Sequence, residues 1–177
     1  MDPLLHTASS ALAAGDPLRA LNHIALREDA AALALRGIAM AQLGDLAQAR
    51  HLLKRAARAF GARNPVAHAR CVVAQAEIAF VSRELSWPVM ELDDARSTLE
   101  QQGDVLNAVH ARHLQARRAL LLGDTEEAGQ ALKGVPLAQL PPLRQAAHEM
   151  IVAGLAMQQL RIAPAKEAFI RARRAWR

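Results

Sequence analysis

An all-α fold of about five antiparallel helix pairs is what this chain of 177 residues predicts, and three observations carry the expectation. Apolar residues recur at helical spacing along nearly the whole length. The periodic stretches are cut at short intervals by turn and cap dipeptides, Gly-Asp above all, at Gly15-Asp16, Gly44-Asp45, Gly103-Asp104 and Gly123-Asp124. Alanine, leucine and arginine, all good helix formers, dominate the composition. With 52% apolar residues but only three Phe, two Trp and no Tyr, the core must be made of Ala and Leu. Side chains that small let helices approach closely and stack in pairs.

The clearest pair runs from Leu33 to Phe60. Leu33, Gly37, Met40 and Ala41 recur on one face, Gly44-Asp45 turns the chain, and Leu46, Ala49, Leu52, Leu53, Ala56 and Phe60 recur on the next. Gly44 supplies the positive φ of a tight helix end, and Asp45 accepts from the free N–H groups of the helix that follows. Gly61 is expected to stop that helix.

The other pairs follow the same grammar. Asp2-Pro3 is a cap with proline at the first helical position, opening a helix to Gly15; a second helix with Leu18, Leu21 and Ile24 on its apolar face ends near Arg27. Asn64-Pro65 opens the third pair, whose first helix reaches about Glu84. Ser86-Trp87-Pro88 then serves as cap and early proline for a helix through Leu92, Ala95 and Leu99. That helix exposes Glu91, Asp93, Asp94 and Glu100, the acidic part of the molecule. Asp104 caps a long helix through Leu114 and Leu121, and Gly123-Asp124 turns into a short one ending before Gly134. Val135 to Pro142, with three prolines, is linker-like but too short to separate domains, so residues 1–177 read as one repeat domain. A fifth pair runs from Leu143 to Leu160, turns at Ile162-Ala163-Pro164, and continues from Ala165 to Trp176.

Turns starting at Gly15, Gly44, Ser86, Gly123 and Ala163 are spaced by 29, 42, 37 and 40 residues, the mark of a helical array. The second pair resembles a tetratricopeptide repeat. Gly37 is similar to the small residue where the two helices cross, Gly44-Asp45 to the inter-helix turn, and Ala49 and Ala56 to the small packing sites of the second helix. The fourth pair repeats the pattern at Ala116, Gly123-Asp124, Ala128 and Leu132, the first at Ala8, Gly15-Asp16 and Ala20. Leu33, Met40 and Leu53 replace the family's aromatic residues, and the third and fifth pairs lack Gly-Asp. The resemblance implies a right-handed α-α superhelix. Its longer period is similar to the N-terminal arrays of bacterial transcription regulators that carry a helix-turn-helix domain. Because Lys166 to Arg177 is still in helical register at the last residue, the chain is expected to be the N-terminal part of a longer protein.

The net charge is +5, yet residues 1–160 hold sixteen basic and sixteen acidic residues; the excess lies at Arg161, Lys166, Arg171, Arg173, Arg174 and Arg177. No direct nucleic-acid binding by 1–160 is therefore expected, DNA contact being left to a C-terminal domain outside the chain. A lone Cys71, no signal-like N-terminus and no long apolar run predict a cytoplasmic protein without membrane contact.

No catalytic motif is present, so no enzyme activity, cofactor or metal is expected. His110 and His113, three apart, have metal-ligand spacing but no third ligand near them on their helix, which favours a structural role. Arg50, Lys54, Arg55 and Arg58 form a basic face. It is either a phosphate site, or the solvated side of an amphipathic helix, or the partner of the acidic helix at Glu91 to Glu100. In tetratricopeptide arrays the first helix of each pair lines the concave side. The resemblance thus places Ile38, Ala41 and Gln42, then Glu77 and Phe80, then His113, Arg117 and Leu120 in a groove that meets a protein or peptide, or a second copy in a homodimer. The expected function is non-catalytic recognition as the sensing part of a bacterial regulator; a free-standing scaffold, a small-molecule sensor and an enzyme remain open.

Overall fold

The computed structural model describes residues 2–84 and 87–176, and among them the chain is helical with no strand. It divides into two compact units, Met1–Gln102 and Gly103–Arg177. The first contains α1 (Pro3–Ala13), α2 (Pro17–Ile24), α3 (Ala30–Gln42), α4 (Leu46–Phe60), α5 (Pro65–Val81) and α6 (Val89–Gln101). The second contains α7 (Val105–Leu122), α8 (Thr125–Leu132), α9 (Pro142–Gln158) and α10 (Ile162–Trp176). Each helix packs on its successor within the hairpins α1/α2, α3/α4, α5/α6, α7/α8 and α9/α10.

Caps set most of the starts. Asp45 Oδ1 accepts from the Gln48 N–H at 3.0 Å, Asp124 Oδ1 from Glu127 at 2.8 Å and Asn64 Oδ1 from Ala67 at 3.1 Å, each satisfying a donor the helix cannot. Asp29, which has no Gly beside it to flag a turn, caps α3 in the same way through Ala32. The chain therefore enters α3 three residues before Leu33, and α2 ends at Ile24 rather than Arg27.

Two helix ends differ from the pattern for a common reason. Where glycine is missing from the exit, another residue takes the left-handed conformation: Arg83 at φ 58° after α5, and Leu160 at φ 56° after α9. The fifth turn consequently sits at Leu160, and Ile162-Ala163-Pro164 is the first turn of α10 rather than a loop. Proline is tolerated there because its absent N–H would have no intrahelical acceptor. Pro88 is the N-cap of α6, not a residue inside it, and Ser86, expected as the cap, lies outside the described residues.

Alanine and leucine fill the interior. Ala8, Leu12, Ala20, Ile24, Ala32 and Ala39 join α1, α2 and α3; Leu33, Ala49, Leu52, Leu53, Ala56 and Ile78 join α3, α4 and α5. Leu52 and Leu53 are almost wholly buried, each contributing about 1.5–3 kcal/mol relative to exposure. A Cβ on Gly37 would lie 2.7 Å from Leu53 Cγ and 3.2 Å from the Ala49 carbonyl oxygen, so only glycine permits this approach of α3 to α4. Cys71 sits in the same core, and burial pushes its thiol up to about 11, which makes it a packing residue rather than a nucleophile. In the second unit Ala116, Leu132 and Ile151 unite α7, α8 and α9, with Leu120 and Leu155 against them.

Candidate functional site

Half of the basic face of α4 is engaged within its own unit. Arg50 Nη1 donates to Glu84 Oε2 at 2.8 Å, and Arg55 pairs with Glu28, which also accepts from Arg36 at 2.9 Å. These partners come from the segments flanking α3 and α5, not from the acidic helix α6. Lys54 and Arg58 are exposed with no ion-pair partner among the described residues. One turn apart on a solvated face, these two cations alone form a weak phosphate site.

Residues expected along the concave side fall in both units. In the first, Ile38 packs into two apolar clusters, Gln42 donates its side-chain N–H to the Leu12 carbonyl oxygen at 3.2 Å, and Glu77 is exposed beside half-buried Phe80. In the second, Arg117 is exposed, Leu120 packs on the Ala116–Leu132–Ile151 cluster, and His113 is buried.

His113 Nε2 lies 3.1 Å from Nδ1 of His148 on α9, with ring centroids 5.3 Å apart. Burial lowers the pKa of both rings, His113 to about 3; nearby positive charge from His148, His110 and Arg144 adds to the effect at His113, whereas the Glu149 carboxylate works against it at His148. Two neutral rings in one hydrogen bond are the stable arrangement. His110 points elsewhere: its Nδ1 accepts from Arg144 Nη1 at 3.1 Å. The three-residue spacing of His110 and His113 therefore does not bring them onto one ligand. Among the described residues no group of three or more His, Cys, Asp or Glu could hold a metal ion.

Two concave surfaces among the described residues contrast in their chemistry. A cleft of about 400 Å³ between α5 and α6 is lined by Pro65, His68, Val72, Glu91, Asp94 and Thr98. His68 Nδ1 donates to the Ala57 carbonyl oxygen at 2.9 Å, a partner that can only accept. Glu91 and Asp94, both exposed, give the cleft an acidic side.

A groove of about 300 Å³ in the second unit is chemically different. It is formed by Met157 and Leu160 at the end of α9 with Ile162, Ala165 and Phe169 of α10, and Arg161 and Lys166 stand at its rim. Leu160 is 87% exposed, Ile162 69% and Trp176 71%. That concentration of apolar surface in water is the kind that marks an interaction site. The hairpin beneath it is closely packed: α10 lies along α9, and Arg171 Nε donates to the buried Glu149 carboxylate at 2.9 Å.

No family model, curated protein or solved structure matches the chain. The α9/α10 groove was not visible as a site in the sequence, because Ile162-Ala163-Pro164 reads as a turn and removes the first apolar position of α10 from the pattern.

Proposed function

We propose that the chain is a non-catalytic protein-binding module that captures a partner segment in the groove between the end of α9 and α10. The observation that supports this reading is the apolar surface of Leu160, Ile162, Phe169 and Trp176 left in water on a hairpin whose backbone is otherwise firmly packed. Burying such a surface under a partner contributes roughly 25 cal/mol per Å², and a preformed groove spares the ordering penalty that a flexible loop would carry.

The direct experiment is selection of a displayed library of amphipathic helices on the purified chain. Selected helices should bind the native protein and lose binding to Phe169→Glu and Ile162→Glu, while Lys54→Glu and Arg58→Glu leave binding unchanged. Binders insensitive to the α10 substitutions, or no binders at all, overturn the reading. A regulatory role is a further proposal, supported by the long turn spacing of 29, 42, 37 and 40 residues, which resembles the arrays of bacterial helix-turn-helix regulators. A helix-turn-helix pattern in the codons after Arg177 supports it, and a stop codon there removes it.

A further inference from the structure

The exposed face of α10 carries a regular alternation. Ile162, Lys166, Phe169, Arg173 and Trp176 follow one another at steps of four, three, four and three residues, and all five are exposed. At about 100° per residue they fall within roughly 80° of arc, one narrow stripe along the helix. The residues that α10 buries, Ala165, Ala168 and Ala172, lie to one side of it. Steps averaging 3.5 residues define the seam on which a second helix packs.

The seam alternates apolar and cationic groups, and its cations are unmatched. The hairpin's own carboxylates near it, Glu149 and Glu167, both face Arg171, at 2.9 and 4.0 Å. Lys166 and Arg173 have no ion-pair partner among the described residues.

A second copy of this helix leaves the cations without partners. A parallel pairing sets each cation opposite itself, an antiparallel pairing about Phe169 sets Lys166 near Arg173, and one centred between Lys166 and Phe169 sets each cation opposite an apolar residue. No register of the stripe on itself sets a carboxylate opposite Lys166 or Arg173. A lipid surface fits poorly too. Helices that lie on membranes keep cations on a separate polar face, whereas here they stand between the apolar residues, and the groove beside them is concave. A helix whose carboxylates oppose Lys166 and Arg173, and whose apolar residues oppose Ile162, Phe169 and Trp176, satisfies every position.

We propose that the α9/α10 groove docks an acidic amphipathic helix from a partner protein. This inference rests on the interaction-module reading above and names its partner's chemistry.

The test uses the full chain and three fluorescein-labelled synthetic helices that share one leucine seam. Glutamate, glutamine or lysine fills the alternate seam positions. Fluorescence anisotropy should show the glutamate helix binding at least about tenfold more tightly than the lysine helix, with an affinity that falls as salt is added. The double variant Lys166→Glu/Arg173→Glu should reverse that preference, with an unchanged melting curve showing that it folds. Equal binding of the glutamate and glutamine helices, both lost in Phe169→Glu, overturns the acidic partner but leaves the groove reading standing. Failure of all three helices to bind overturns both. Binding to phosphatidylserine vesicles as tight as to the glutamate helix overturns the proposal in favour of a membrane surface, and a concentration-dependent dimer abolished by Phe169→Glu overturns it in favour of self-association.

Discussion

His113 and His148 share one buried hydrogen bond, Nε2 to Nδ1 at 3.1 Å, that ties α7 to α9 inside the second unit. Both rings are held neutral by burial. In the unfolded chain they titrate near their ordinary value, about 6.5. Between that pH and about 3, where folded His113 finally takes a proton, the unfolded state binds more protons than the folded one. Stability is therefore full above pH ~6.5 and falls as pH drops, by up to about 1.4 kcal/mol per pH unit for each ring. Chemical denaturation of the native chain should show this decline between about pH 6 and 4, and His113→Leu/His148→Leu should flatten it. An equally steep decline in the double variant would assign the effect to other groups.

Removing one side of the Glu149–Arg171 pair should be asymmetric. Glu149 is buried, its Oε1 accepts from Arg171 and its Oε2 has no hydrogen-bond partner. Arg171→Ala leaves an uncompensated carboxylate between α9 and α10. A loss of about 2–3 kcal/mol is expected, at or below the low end for buried pairs because Arg171 is itself half exposed. Glu149→Leu should be milder, since it removes the charge along with its partner's role. Urea denaturation of the two variants decides; a costlier Glu149→Leu contradicts the ordering.

Gly37 predicts a non-additive pair. Gly37→Ala forces a methyl to 2.7 Å from Leu53 Cγ, and overpacking of this kind costs about 1–3 kcal/mol. Leu53→Ala alone should cost about 2–5 kcal/mol. Combined, they should cost less than the sum, because the shortened side chain vacates the space the methyl needs. Strict additivity in a double-mutant cycle would show that Leu53 moves aside without strain.

Capping residues offer a smaller, graded effect. Asp45→Ala and Asp124→Ala each remove one side-chain acceptor from a helix start and should each cost about 1 kcal/mol. Asp45→Asn should retain most of that, as asparagine caps comparably. Thermal melts of the three variants provide the check.

The hairpins were legible because their punctuation is local. Asp45, Asn64, Asp104 and Asp124 sit where the sequence places them, and Gly44, Gly61 and Gly123 have the positive φ their positions demand. Where that chemistry is missing, the boundary was misplaced. Leu160 takes a left-handed conformation that glycine normally provides, so the sequence pattern places the start of α10 three residues late. Asp29 capped α3 without a glycine before it to announce a turn. The candidate site suffered directly from the first of these errors, because Ile162 begins the α10 stripe.

Charges were legible in number but not in partnership. The sequence showed a basic α4 and an acidic α6, yet Arg50 and Arg55 take Glu84 and Glu28. Ion pairs form between whichever side chains the backbone brings within reach, and Glu28 lies 27 residues from Arg55 along the chain. The same holds for His113, whose partner stands 35 residues away.

By itself the sequence determined the helices, their order in hairpins and the small-residue interior, because apolar period, caps and Gly37 act over a few residues at a time. Only the tertiary structure decided which side chains are spent inside the molecule and which are left outside. Packing α9 against α10 buries Ala165, Ala168 and Ala172 and turns Ile162, Phe169 and Trp176 into water. A helix has more apolar positions than one neighbour can cover, and which of them stay exposed depends on where that neighbour lies.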